Sequence, residues 1–362
     1  MALAPVVLAL NSSGLVTAQK VATALGVKVH GRKGRVADAD TYFANALDHA
    51  RDLFAAGIPI IGVCASGILI RAVAPLLADK TTEPPVVSVS DDGRVVVPLL
   101  GGHRGANRLA HDIAKALGGI AAVTTAGDVS LGVSLDEPPQ GWALVNRSDA
   151  KGAMAELLAG GGASLSGDEV ANADWLKGLP AGEAVLLTCA IAPQRDLGPT
   201  HLQFAPKRVA VGVGCARNCS TVEMARLVRS ALQDAGVCDA AVHSVNTISL
   251  KADEPAILDL AASLAAPLRL FSATELEIQS PRLATPSDVV FAEVGCHGVS
   301  EAAALAQVGA DGILWVQKRK TSNATVALGL FPEPMAALRG AARGRLSVVG
   351  IGPGQAAWRT PE

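Results

Sequence analysis

The sequence predicts an α/β fold, with two Rossmann-like open-sheet domains joined by a smaller middle module. Three observations predict it. Apolar runs of strand length alternate with helical spacing through residues 5–128 and again from residue 208. Glycine-rich turns follow several runs, at Ala65-Ser66-Gly67, Gly101-Gly102-His103-Arg104-Gly105 and Gly212-Val213-Gly214. Residues 132–206 lose this rhythm and become rich in Gly, Ala, Ser and Asp. The expected divisions are 1–131, 132–206 and 207–335, then 336–362 as a linker and the truncated start of a further unit.

Residues 5–10 read as a buried strand, because the run is apolar throughout. Asn11-Ser12-Ser13-Gly14 supplies a turn and an N-cap. Leu15, Ala18, Val21, Ala22 and Leu25 then keep helical spacing. Residues 27–30 read as a second strand and 41–56 as a helix with Phe43, Ala46, Leu47, Ala50 and Phe54 on one face. Residues 58–64 are a strand, and 68–77 a helix that ends near Asp79-Lys80. After the Thr-Thr-Glu-Pro-Pro break, a strand pair flanks Asp91-Asp92-Gly93. Residues 57–128 hold three strand ends and three polar turns, and an open sheet places its crevice beyond the carboxyl ends of its strands. A second α/β unit starts at Arg208. Its expected strands include 209–213, 312–316 and 324–330, with helices at 221–232, near 253–264 and at 300–306.

Composition excludes several classes. The chain has 362 residues, with 31 Lys and Arg against 33 Asp and Glu and a formal net charge of −2. A general nucleic-acid binder needs a basic surplus and stacking aromatics, whereas only four Trp, six Phe and one Tyr are present. No apolar run reaches membrane-spanning length, and no basic region precedes the first strand. Six scattered cysteines suit reduced thiols in a cytoplasmic protein. The expectation is therefore no nucleic acid and no membrane. The oligomeric state is open, a homodimer included.

Strand–glycine–helix turns expose backbone amides at a positive dipole end and suit a carboxylate or phosphate; otherwise they are tight connections. Neither main turn is G-x-G-x-x-G or a Walker loop. His103, beside Arg104 and Asn107, is a candidate acid or base, or else a cap. Asp79-Lys80 is a carboxylate anchor or a solvated pair, and Lys318-Arg319-Lys320 an anion clamp or a basic hairpin loop. Ser300-Glu301 reads by default as a helix start. Cys215 and Cys219 lack further ligands near them in sequence, so no metal is expected.

Eight segments stand in order. They are Gly67 to Arg71 with Ala74-Pro75-Leu76-Leu77 and Asp79-Lys80; Pro85-Val86-Val87; Leu99-Leu100-Gly101-Gly102-His103 with Gly105-Ala106-Asn107; and Thr124-Thr125-Ala126-Gly127-Asp128. The others are Gly212 to Cys215 with Ala216-Arg217; Lys251-Ala252-Asp253-Glu254; Gly298 to Ala304; and Lys318, Lys320 with Thr325-Val326-Ala327. Together they resemble the CbiG family of cobalamin biosynthesis, the cobalt-precorrin-5A hydrolases. The His103 loop is one residue shorter than the family's usual form, and Ala216 stands where the family often has Arg. Residues 348–354 resemble the first strand and loop of tetrapyrrole methyltransferases, as in fusions to a precorrin-3B C17-methyltransferase. No methyltransferase activity is expected of the 362 residues.

The resemblance implies that water opens the ring-A lactone of cobalt-precorrin-5A. Acetaldehyde leaves and cobalt-precorrin-5B remains, with no cofactor, since cobalt arrives in the substrate. On this reading His103, Asn107 and Lys80 are the catalytic candidates. Ser66, Gly67, Arg71, Asp79, Gly101, Gly102, Arg104, Thr124, Thr125, Asp128, Gly214, Lys251, Glu301, Lys318 and Lys320 are the substrate-binding candidates. A cleft between the two α/β domains is the expected place for so large a macrocycle. The partners implied are the tetrapyrrole and a fused or separate methyltransferase. The rivals are a non-catalytic corrin-intermediate carrier and, from the glycine turns alone, a nucleotide-binding regulator.

Overall fold

The computed structural model describes residues 3–80, 82–195, 197–335 and 337–344; the side chains of His103, Ala126, Asp128 and Val129 also lie outside the description. The chain divides into two compact units at Pro206 and Lys207.

The first unit opens with β1 (Val6–Ala9), α1 (Ser12–Leu25), β2 (Lys28–Arg32), β3 (Thr41–Phe43), α2 (Ala46–Ala55), β4 (Ile60–Val63) and α3 (Ser66–Val73). It continues with β5 (Val86–Val89), β6 (Val95–Leu100), α4 (Ala106–Leu117), β7 (Ile120–Ala121) and α5 (Ala126–Leu131). Asn11 caps α1 by accepting from the Gly14 amide, as its place before the periodic run predicts. The helix expected over 41–56 is a correction. Thr41–Phe43 pairs in parallel with β2, and the helix starts only after Asn45, whose side chain accepts from the Leu47 amide. The helix after β4 likewise ends early, tightening into a 3-10 turn at Ala74–Leu76 around Pro75.

Seven strands form one sheet in the order β3-β2-β1-β4-β5-β6-β7. Pairing is parallel except between β5 and β6, a hairpin in which Val86 faces Leu100. β7 runs with β6. This reversal corrects the expected single crevice. The carboxyl ends of β1 and β4 lie at one edge of the sheet, and those of β6 and β7 at the opposite edge.

The rest of the first unit is β8 (Trp142–Leu144), α6 (Ala150–Leu158), β9 (Ala163–Ser166), β10 (Val185–Cys189) and β11 (His201–Pro206). These strands form a sheet in the order β8-β11-β10-β9, packed on Leu135, Ala153, Leu157, Leu176 and Phe204.

The second unit runs β12 (Val209–Cys215), α7 (Thr221–Asp234), β13 (Val242–Ile248), α8 (Pro255–Ser263), β14 (Leu268–Phe271), α9 (Ala273–Glu277) and α10 (Asp288–Val294). It closes with α11 (Ser300–Val308), β15 (Ile313–Lys320), β16 (Ala324–Leu330) and β17 (Ala341–Ala342). The sheet order is β15-β16-β12-β13-β14-β17. β12, β13 and β14 are parallel, and β16 returns antiparallel beside β12. Gly212 is required there, because a Cβ would meet the Ser300 carbonyl of α11 at 2.0 Å. The 348–354 motif lies outside the described residues. No described helix is long and apolar enough to cross a membrane.

His243 on β13 is buried, with Nδ1 3.0 Å from Ser244 Oγ and its ring edge-on to Phe331. Burial, then the Lys207 charge, pushes its pKa down from 6.5 to about 4. Below pH 6.5 the unfolded chain takes up a proton that the folded chain refuses until about pH 4. Stability from this group is therefore full above 6.5 and lost progressively as pH falls towards 4, by on the order of 3 kcal/mol. Urea unfolding of the parent and of His243→Leu, each at neutral pH and near pH 4.5, measures this. The variant should lose less on acidification; equal losses would remove His243 as the cause.

Candidate functional site

Because β6 and β7 run together, Leu100 and Ala121 deliver their following loops to the same edge. After Leu100 the chain turns at Gly101, with φ +72°. A Cβ there would sit 2.9 Å from Pro85 Cα, so only glycine fits both the angle and the space. The Gly101 carbonyl accepts from the Arg104 and Ala106 amides, at 2.9 and 3.0 Å, and α4 begins after Gly105. Asn107, in the first turn of α4, is buried, and its Nδ2 donates to Thr125 Oγ1 at 2.8 Å. That bond ties the glycine turn to the loop after β7.

A cavity of about 510 Å³ opens at this edge. Lys80, Leu100, Gly101, Gly102, Arg104, Asn107, Thr124 and Thr125 line it, with Glu83 beside them. Asp136 and Arg147 of the following module line it too. Three cations against two carboxylates, with the N-terminus of α4 at hand, suit an anionic ligand. The volume falls within the usual range of small-molecule sites, roughly 300–1,000 Å³. Glu83, Asp136 and Arg147 were not among the sequence candidates. Nothing in the loosely patterned sequence around Arg147 marks it.

Ser66, Gly67 and Arg71 lie elsewhere. Ser66 starts α3 at the opposite edge, in a cavity of about 490 Å³ at the switch point between β1 and β4, which Asn11, Cys64, Ser88, Ser90 and Asp91 share. Gly67 follows it in the first turn of α3, and its carbonyl accepts from Arg71 Nη1 at 3.1 Å. That bond is local to α3, and Arg71 does not line the cavity at the β6 and β7 ends. The Asp79 carbonyl accepts from the Thr82 and Glu83 amides and shapes the turn that carries Lys80. The side chains of His103 and Asp128 lie outside the described residues.

In the second unit, Glu301 is a correction. It is buried in the first turn of α11, and its carboxylate accepts from the backbone amides of Ala284, Thr285 and Lys318 at 2.8–2.9 Å. A carboxylate so occupied fastens α11 to β15 and the 284–285 loop. Lys318 Nζ donates to the Thr285 carbonyl at 3.2 Å. The basic run lies on a strand and not in a loop, so Lys318 and Lys320 alternate with Arg319, which pairs with Asp234. Gly214 packs against Thr325 and Val299, where a Cβ would meet Thr325 Oγ1 at 2.9 Å. Lys251 is largely buried 3.9 Å from Glu254, at the carboxyl end of β13. Cys215 lies near this pair; burial, then the Glu254 charge, raises its thiol to about 11, so it stays protonated at neutral pH. Among the described residues no three His, Cys, Asp or Glu side chains gather to hold a metal.

Residues 48–128 match the family model described as Cobalamin synthesis G N-terminal, and residues 209–329 the one described as Cobalamin synthesis G C-terminus. The cobalt-precorrin-5A hydrolase of Salmonella typhimurium is 30% identical over 256 residues, covering 66% of this chain and 72% of that protein. The chain belongs to the CbiG family. Another relative, the cobalt-precorrin-5A hydrolase of Priestia megaterium, is 29% identical over 296 residues, or 75% of this chain and 78% of that protein. Protein CobE of a Sinorhizobium species is 42% identical over 120 residues, or 33% of this chain and 78% of CobE. The N-terminal family match contains Lys80, Gly101, Asn107 and Thr125; Asp136 and Arg147 fall outside both matches.

Gly101→Ala should lower the stability of the first unit by roughly 1–3 kcal/mol, through the positive φ and the contact with Pro85. A urea midpoint equal to the parent's would show that the turn tolerates a side chain.

Proposed function

We propose that the chain is a cobalt-precorrin-5A hydrolase of cobalamin biosynthesis. It opens the ring-A lactone and releases acetaldehyde to give cobalt-precorrin-5B. Similarity along most of the length of two relatives of that name carries the reading. The cavity at the β6 and β7 ends fits it chemically: a polycarboxylate macrocycle needs cations at its rim, and Lys80, Arg104 and Arg147 supply them.

Two steps need the protein. A base takes a proton from water as its oxygen bonds to the lactone carbonyl carbon, and the carbonyl electrons move onto oxygen. We assign the base to His103, in the turn that borders the cavity. Amides of the glycine turn and the Lys80 charge stabilise the oxyanion. The ring C–O bond then breaks, and the freed hydroxyl takes a proton. Removal of that proton forms the aldehyde carbonyl and breaks the adjoining C–C bond, whose electron pair passes into the macrocycle. Asn107 holds the turn in place through Thr125. No cofactor enters these steps. We place the reaction in the cytoplasm, where six unpaired thiols stay reduced. A tetrapyrrole methyltransferase, fused at the 348–354 motif or separate, is the proposed partner.

The test is acetaldehyde release from enzymatically prepared cobalt-precorrin-5A. Release should depend on the protein, fall about 100-fold or more in His103→Ala, and require roughly tenfold more substrate in Lys80→Met. Tight pigment binding without release would make the chain a carrier.

A further inference from the structure

The two family matches leave residues 129–208 unassigned. We propose that this module forms one wall of the substrate cavity, and that its Arg147 binds a carboxylate of the ligand. The inference rests on the hydrolase reading for the ligand's identity as a tetrapyrrole, but not for its polycarboxylate character.

Arg147 is placed by rigid elements. It opens a 3-10 turn, Arg147–Asp149, three residues after β8 ends. Asn146, next to it, is bolted down from both ends of its amide. Its Nδ2 donates to the His201 carbonyl at 2.7 Å and to Asp149 Oδ2 at 2.8 Å, and its Oδ1 accepts from the Gln203 amide at 3.0 Å. The Val145 amide adds a bond to the Gln203 carbonyl at 2.9 Å. β8 itself is fixed in the core by Trp142, which packs edge-on to Trp175, itself edge-on to Phe204.

The module in turn is held against the first sheet's helices. Arg108 of α4 meets Glu137 at 2.7 Å, and the Glu137 side chain is only 11% exposed. Gly127 of α5 leaves just enough room for Met154 of α6, whose methyl a Cβ would overlap at 2.2 Å. A short chain, 132–141, therefore joins two bodies whose contact is specific, and the cavity lies where they meet.

The free valence is on the cations. Among the described residues, neither Lys80 nor Arg147 has a hydrogen-bond or ion-pair partner, although Glu83 and Asp136 line the same cavity. Lys80 comes from the turn that precedes β5 and Arg147 from the module, so they line the cavity from different parts of the first unit. Two unpaired cations from separate parts suit a ligand with at least two carboxylates, the acetate and propionate arms of a tetrapyrrole. A guanidinium fork binds one carboxylate with two parallel bonds, which an ammonium cannot do.

The full chain with Arg147→Met and Arg147→Lys tests this. Two quantities are read: KM and kcat for acetaldehyde release from cobalt-precorrin-5A, and the Kd for uroporphyrin, a polycarboxylate porphyrin, by fluorescence quenching. Methionine should raise both KM and Kd about tenfold and leave kcat within about twofold. Lysine should recover part of the loss, and the parent's advantage should shrink at high salt. Unchanged KM and Kd in the methionine variant would overturn the proposal while leaving the hydrolase reading intact. A parent that binds uroporphyrin through Arg147 but releases no acetaldehyde would sink the hydrolase reading alone. A parent that does neither overturns both.

Discussion

The first unit depends on one reversal of direction. β5 and β6 are joined by a tight turn in which Ser90 Oγ donates to Asp92 Oδ1 at 2.6 Å and Gly93 takes a φ of +73°. The Val95 amide then donates back to Ser90 Oγ at 3.0 Å, closing the hairpin. Without it, β6 and β7 would continue the parallel order, and all polar loops would gather at one edge. With it, the loops after β1 and β4 occupy one edge and those after β6 and β7 the other. The glycine turn, Asn107, Thr125 and Lys80 meet because of that reversal. Ser66 and Gly67 are excluded from the group for the same reason.

The hairpin was legible in the sequence, since Asp91-Asp92-Gly93 between apolar runs is a turn signal. Its consequence was not: a hairpin is antiparallel by construction, but that β7 then runs with β6 and delivers its loop to the same edge is set by neighbours and leaves no mark on the residues themselves. Local signals fared best. Asn11 before a periodic helix and Gly101 before another each dictate geometry through their own atoms, whereas the helix expected through Pro75 stops at Val73. The strand at 41–43 shows the limit: Phe43 keeps helical spacing with later apolar residues, yet pairing with β2 claims it. Arg147 was invisible for a different reason. It reaches the cavity through packing of the module, and no spacing in the sequence records that packing.

Charge alone does not mark a ligand site; the question is what already occupies the charge. Glu301 keeps the company of a family motif, but three backbone amides use its oxygens. Removing it would strand those amides, which is a structural role whatever the ligand. Arg319 is paired with Asp234. On an edge strand such as β15, Lys320 has a further duty, since charge there discourages another chain from adding to the sheet.

The same criterion separates the cations that remain. Lys251 is held beneath the surface near Glu254, a carboxylate that is itself almost wholly buried. A paired and desolvated ammonium has little left to offer a large ligand without breaking the pair. Lys80 and Arg147 stand on exposed turns over a cavity, with their charge uncommitted among the described residues, and hydrogen bonds of Asn146 fix the backbone beside Arg147. Rigid support under an unsatisfied cation keeps the ordering cost of binding low. A flexible, many-armed carboxylate ligand then meets positions already set. The site therefore draws on both parts of the first unit, with Lys80 in the turn before β5 and Arg147 on the supported turn after β8.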